Sequence, residues 1–297
     1  MHYNIFLNLY LNINLNIIIL VMSINILITG GNSNLSKIIK KNLSGEFNIV
    51  SITRHNFDLL NVNAVSNYLL NNKFDILIHT AIVGGRRTKE DSGEIIYKNL
   101  LMFENLLKFA NYFKLIINFD SGAIYDRSTD IYCRKESDEL NIPIDYYGFS
   151  KYLIYNRSLQ YNNIVNFRIF NIFHVNEESD RFIKACFLSK KNGTTVKIYN
   201  DKYFDFMFED DFIKILKYYI NYYSDDLPKV FNLSYTNKYK LSNIAYMILN
   251  NKEQIEIYDN LCSNNYCGDS SVLDNLNLDL DGLETSFKKY EDSFFNS

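Results

Sequence analysis

Tyr147 and Lys151 stand four residues apart at the start of a segment with helical periodicity, so one helix face carries both. An ammonium beside a phenol stabilises the phenolate, and Lys151 is expected to lower the Tyr147 pKa. Such a phenol can give and take a proton near neutral pH. Ser121 ends the apolar run that precedes this helix, where its hydroxyl could bond a substrate oxygen. A chain with 24 tyrosines produces a Tyr–Lys pair at this spacing readily by chance. The pair gains meaning only from the elements around it.

Apolar runs at 24–29, 47–52, 74–79, 115–119, 164–170 and 229–233 read as strands. Between them, helical spacing marks 35–43, 62–70, 95–113 and 146–161, with further helices at 179–189, 210–223 and 241–249. Alternation of this kind predicts an α/β fold, a Rossmann-type doubly wound parallel sheet with a smaller C-terminal lobe. The strands are almost continuously apolar, as burial on both faces requires. Loops at the carboxyl ends of such strands line one edge, and that edge receives Ser121 and the start of the 146–161 helix. The tail from residue 262 is polar and acidic, with no strong period except near Phe287.

The first strand runs into Gly30-Gly31 and then a helix. A turn of this kind presents backbone N–H groups at a helix N-terminus, where they hold a pyrophosphate. Gly30, Ser33, Asn34 and Leu35 are the candidate phosphate-side residues. The usual fingerprint has glycine where Ser33 and Ser36 stand, and serine restricts the backbone more. The second strand ends at Ser51-Ile-Thr-Arg54 with no acid. An acid there would hold a ribose 2′-hydroxyl, whereas an arginine accommodates a 2′-phosphate. The expected cofactor is therefore NADP(H), with NAD as the alternative.

The 297-residue chain suits one large α/β unit with a smaller lobe, and its 47% hydrophobic and 22% charged content is that of a globular protein. With a net charge of −3 and no basic tract, nucleic acid is not an expected partner. Cys133, Cys186, Cys262 and Cys267 lack the second close pair or histidine cluster of a metal site. They read as free thiols in a reducing compartment, so a cytoplasmic location is expected. Residues 1–21 contain no Asp, Glu, Lys or Arg, but repeated asparagines argue against a membrane anchor. Met22 would begin the domain directly on its first strand. Residues 1–21 therefore read as an upstream extension, untranslated or disordered.

Taken in order, these motifs resemble the extended short-chain dehydrogenase/reductases of the NAD-dependent epimerase/dehydratase family. The matching residues are Ile26-Leu-Ile-Thr-Gly-Gly31, Phe74-Asp-Ile-Leu-Ile-His-Thr-Ala81, Asn99, Asp120-Ser-Gly-Ala-Ile-Tyr125, Tyr147-Gly-Phe-Ser-Lys151, Arg168-Ile-Phe-Asn171 and Phe204-Asp-Phe-Met-Phe-Glu-Asp-Asp211. The stretches Thr53-Arg-His-Asn-Phe-Asp-Leu59 and Ala81-Ile-Val-Gly-Gly85 look most like GDP-L-fucose synthase and related nucleotide-sugar 4-ketoreductases. The resemblance covers roughly 22–235. It implies Ser121, Tyr147 and Lys151 as catalytic residues. It also implies Asp58, Ala81, Lys151 and Asn171 near the cofactor, and Ser121 and Asn171 near the substrate. Arg181 is a further candidate for the substrate, while Arg86 and Arg87 read as a solvated loop. The implied division is 22–171 with about 204–235 for the cofactor domain, and about 172–203 with 236–297 for the substrate lobe. Members of the family often form homodimers through helices corresponding to 95–113 and 146–161, so a homodimer is the expected assembly.

The departures narrow the chemistry. The family's dehydratases carry an Asp-Glu pair where Gly122 and Ala123 stand, which argues against 4,6-dehydration. Fucose synthase epimerises with a cysteine at the position of Ala123 and a histidine near that of Arg181, so the epimerase step is doubtful. Phe204 replaces a basic residue that helps bind substrate phosphates, and His174-Val175 replaces a Gly-Pro. What remains is NADPH-dependent reduction of a nucleotide-linked 4-keto-deoxy sugar. The alternatives are a nucleotide-sugar epimerase with tightly bound NAD and a non-catalytic Rossmann cofactor sensor.

Overall fold

A computed structural model describes residues 24–85, 89–258 and 264–296. Strand β1 (Asn25–Thr29) passes through the glycine turn into helix α1 (Asn34–Leu43). There follow β2 (Asn48–Ser51), α2 (Val62–Asn71), β3 (Ile76–His79), α3 (Glu94–Leu107), β4 (Leu115–Ser121) and β5 (Ile131–Arg134). The chain continues with α4 (Tyr146–Ser158), β6 (Ile164–Ile169), β7 (Ile172–Phe173), α5 (Phe182–Asn192), β8 (Val196–Ile198) and β9 (Met207–Phe208). It ends with α6 (Glu209–Tyr222), β10 (Val230–Leu233), α7 (Leu241–Leu249), β11 (Ile255–Ile257), β12 (Tyr266–Gly268), α8 (Ser271–Asp274) and α9 (Gly282–Phe295). The extension at 1–21, Arg86, Arg87 and Cys262 lie outside the described residues.

Six strands form one sheet in the order β10-β6-β4-β3-β1-β2, every neighbouring pair parallel. This is the α/β, Rossmann-type arrangement. Its cause is visible in the strand residues. Ile26, Ile28, Ile76, Ile78, Leu115 and Ile117 join the core on the face covered by α1 and α6. Their neighbours Leu27, Leu77 and Ile116 point the other way, into the core beneath α2, α3 and α4. Burying one such side chain contributes about 1.5–3 kcal/mol, so both faces must be covered.

The sheet also creates the crevice. From β2 the chain crosses past β1 and enters β3 on its far side. Strand order reverses there, and the carboxyl ends of β1 and β3 diverge.

The structure departs from the sequence reading in several places, and the short strands β5, β7, β8, β9, β11 and β12 have no counterpart among the expected ones. The helix expected over 95–113 stops at Leu107, and Ala110–Tyr112 forms a 3₁₀ turn instead. The tail is more ordered than its polarity suggests. In α9, Leu283, Phe287, Tyr290 and Phe294 recur at helical spacing and are buried, with Phe287 and Tyr290 against Phe173 and Phe187. Among the described residues, no helix is long and apolar enough to cross a membrane.

Candidate active site

The site begins at Gly30. Its φ of +68° lies in the left-handed region, and a β-carbon there would come within 2.7 Å of Ala81 N. Glycine is thus required for the turn after β1 to close on the end of β3. The two serines that replace fingerprint glycines tie the same turn to its neighbours. Ser33 caps α1, accepting from Ser36 N at 3.1 Å, and its Oγ lies 2.9 Å from Thr80 Oγ1. Ser36 Oγ lies 3.0 Å from Ser51 Oγ at the end of β2. The amides of Asn34 and Leu35 fall in the first helical turn, where no intrahelical carbonyl reaches them. That leaves N–H groups directed out of a positive helix end, which fits a dinucleotide phosphate.

Arg54 is exposed in the turn following β2, and no carboxylate among the described residues pairs with it. Asp58 is half-buried and uses Oδ1 to accept from Leu60 N at 3.0 Å. Ala81 N donates to Thr29 Oγ1 at 3.3 Å, across the crevice mouth from Gly30. Asn171 follows β6, and its buried Oδ1 has no partner within the protein, leaving an acceptor available to a ligand. Arg181 precedes α5, with Nε 3.8 Å from Glu177 Oε2.

Ser121 ends β4 and caps the short 3₁₀ turn Gly122–Tyr125, accepting from Ala123 N at 3.2 Å. Tyr147 and Lys151 lie in the first turns of α4. Asp145 caps that helix, accepting from Gly148 N at 2.8 Å, and it also binds the Arg127 guanidinium. Arg127 in turn lies 5.8 Å from the centre of the Tyr147 ring. Asn99 in α3 grips the crevice loop, pairing with both Val83 N and Val83 O at 2.8 and 2.9 Å. Its amide also donates to Ser150 Oγ at 3.2 Å, and Ser150 Oγ donates to Tyr147 O at 2.8 Å. The loop after β3 is therefore fastened to the helix start that carries Tyr147.

The electrostatics correct one expectation. Tyr147 is not lowered toward neutrality by Lys151. It is pushed up to about 12, by burial first, with Asp120 adding to the rise and the Ser121 hydrogen bond and Arg127 opposing it. Lys151 Nζ instead donates to Phe119 O, 5.9 Å from the centre of the Tyr147 ring. Lys151 is itself pulled down to about 8 by burial, against the favourable charge of Asp120. Desolvation of a phenolate costs more here than an ammonium at that distance returns. Tyr147 consequently keeps its proton at neutral pH.

Beneath the site lies a buried ion pair. Arg168 Nε and Asp120 Oδ2 are 3.0 Å apart, and both side chains are essentially inaccessible. They face each other because β4 and β6 pair in that register. Arg168 also donates to Tyr125 Oη, which donates to Asn232 Oδ1 at 3.0 Å. Its guanidinium stacks over Tyr125 and Tyr155 at 4.7 and 5.1 Å. The residue before Ser121 is thus anchored to three other strands and helices.

The profile of the NAD dependent epimerase/dehydratase family matches residues 26–234. The chain belongs to that family. It is therefore an NAD(P)-dependent enzyme of the extended short-chain dehydrogenase/reductase type. No curated protein matches it by sequence. Among solved structures, a GDP-mannoheptose C4 reductase from Campylobacter jejuni with NADP bound is 19% identical with a TM-score of 0.74, covering 93% of this chain and 99% of that one. A dTDP-4-dehydrorhamnose reductase from Bacillus anthracis in complex with NADP is 16% identical with a TM-score of 0.78, covering 93% and 99%. The Bordetella bronchiseptica enzyme WbmG, in complex with NAD and UDP, is 16% identical with a TM-score of 0.76, covering 91% and 93%. At these identities the likeness is one of fold.

Sequence reasoning missed three side chains at this family member's site. Asp145 carried a usable signal, an acid immediately before a helical run. Arg127 did not, because its carboxylate partner is 18 residues away in the chain. Tyr266 was also hidden. It comes from β12 in the unpatterned tail and reaches Ser121, with Oη 3.4 Å from Oγ.

Proposed function

We propose that this chain is an NADPH-dependent reductase of a nucleotide-linked 4-keto-deoxy sugar, with a substrate lobe built from 172–203 and 236–297. The observation that carries the reading is the convergence of Ser121, Tyr147 and Lys151 at the carboxyl edge of β4, beside the Gly30 turn. Gly122 and Ala123 offer no acid or base for dehydration or epimerisation, which leaves proton delivery to a carbonyl oxygen. The cofactor supplies a hydride when bound. Gly30, Ser33, Asn34, Leu35, Ala81 and Lys151 would hold it, with Arg54 and Asp58 at its adenosine end. Tyr147 gives its proton to the developing alkoxide, Ser121 bonds that oxygen, and the Lys151 charge steadies the tyrosinate that forms. Asn171 and Arg181 are the proposed substrate contacts. NADP-bound reductases of similar fold support this choice.

The primary test is NADPH oxidation with a panel of nucleotide 4-keto-6-deoxy sugars. Turnover supports the reading. Cofactor binding without any turnover would favour a sensor, and sugar interconversion without net NADPH use would favour an epimerase. Arg54 sets the expected preference. Arg54→Asp should raise the KM for NADPH by about tenfold or more, since a charge-assisted hydrogen bond is lost and a like charge is introduced. An unchanged NADPH-to-NADH ratio of kcat/KM would show that Arg54 does not read the 2′-phosphate.

The pH profile follows from the two shifts. Tyr147 remains protonated throughout the neutral range because its pKa is raised to about 12. Lys151 loses its charge as the pH rises through about 8. The reduction rate should therefore hold from roughly pH 6 to pH 8 and decline above it. A rate that rises steadily above pH 8 would contradict these assignments.

A further inference from the structure

Tyr266 approaches the site from a part of the chain 145 residues beyond Ser121. It is held firmly. Its backbone N donates to Tyr203 O at 2.9 Å, and its carbonyl accepts from Asp205 N at 3.0 Å. Asp205 is anchored in turn by Lys238 at 3.0 Å and by Gly268 N at 2.8 Å. The ring packs edge-on against Phe170 with centres 5.0 Å apart, and against Phe204 at 5.2 Å. A β-carbon at Gly122 would come within 2.5 Å of Phe170 and 3.0 Å of Tyr266 Oη. The absence of a side chain at Gly122 is what lets the phenol reach Ser121.

A serine hydroxyl has two acceptor lone pairs and one proton. The Ala123 amide occupies one lone pair of Ser121 Oγ, at 3.2 Å. The Tyr266 hydroxyl stands 3.4 Å from the same oxygen, where either group can be the donor. That separation is long for a hydroxyl pair, as catalytic hydrogen bonds often are before substrate tightens them. Burial holds Tyr266 well above the ordinary phenol range, so it is a neutral donor. Once both lone pairs are filled, Ser121 has only its own proton to offer, to Tyr147 before the substrate arrives and to the substrate oxygen afterwards.

We propose that Tyr266 is a positioning residue for Ser121: its phenol donates to Ser121 Oγ and thereby commits the serine proton to the substrate oxygen. The inference rests on the reductase reading above. It gives the substrate lobe a direct part in the chemistry, because β12 supplies the group that orients a hydroxyl on β4. It also explains the Phe204 departure. The family's basic residue is replaced there by a ring that packs against both Phe206 and Tyr266.

The test is a double-mutant cycle on kcat and KM with NADPH and a keto-sugar that the wild type turns over. Tyr266→Phe keeps the ring and its packing. It should lower kcat by about tenfold, the worth of one oriented hydrogen bond, with KM for the sugar little changed. In the Ser121→Ala background the same substitution should have no further effect. Thermal unfolding of each variant is followed in parallel. An equal loss in both backgrounds would overturn the inference, as would wild-type kcat in Tyr266→Phe or a loss matched by a fall in the folded fraction. A wild type that reduces no keto-sugar overturns the reductase reading and this inference with it. If Tyr147 is needed for turnover and Tyr266 is not, only the inference fails.

Discussion

Tyr147→Phe should lower the rate of keto-sugar reduction by ~10²–10⁴-fold, the usual span for a lost general acid. The KM for NADPH should hardly move, because on the proposed reading the removed oxygen meets the substrate. The magnitude follows from the surroundings of the phenol. Tyr147 is partly buried, Ser121 hydrogen-bonds it, and Arg127 stands beside its ring. Water can replace the missing proton donor only poorly at such a position. Single-turnover kinetics with bound NADPH would isolate the chemical step. A loss below about threefold would remove Tyr147 from the proton path, since even a weak general acid contributes more.

Arg168→Met should destabilise the fold by about 3–5 kcal/mol, because it leaves the Asp120 carboxylate buried without its partner. The substitution also removes the donor to Tyr125 and the stacking over two tyrosine rings. Urea denaturation would measure the change. Arg168→Met combined with Asp120→Asn should recover much of the loss, since the uncompensated charge is then gone. If the single variant costs less than about 1 kcal/mol, Asp120 is being satisfied by water or is protonated. Activity offers a second reading. Asp120 precedes Ser121 on β4, so any movement of that strand end should reduce kcat even where the protein remains folded at the assay temperature.

Much of this enzyme was legible from residue order. The apolar runs that became β1, β3 and β4 could be read because both faces of each strand are buried, which suppresses alternation and leaves a continuous signal. The Gly30 turn was legible because a positive φ and a close approach to Ala81 leave no other residue type comfortable. Tyr147 and Lys151 were legible because a helix places i and i+4 on one face. The tail was harder. In α9 the buried positions 283, 287, 290 and 294 do follow a helical spacing, but the lysines and acids between them dilute it.

The sequence by itself determined the sheet, the glycine turn and the helix that carries Tyr147 and Lys151 on one face, since each depends on residues close in the chain. Tertiary structure alone decided how those groups ionise and what surrounds them. Lys151 turned to the Phe119 carbonyl, and burial raised Tyr147 where local spacing predicted a fall. Arg127 found Asp145, Arg168 found Asp120, and Tyr266 found Ser121 across 18, 48 and 145 residues. Desolvation and long-range pairing depend on what the fold packs around a group, and no local pattern in the chain carries that information.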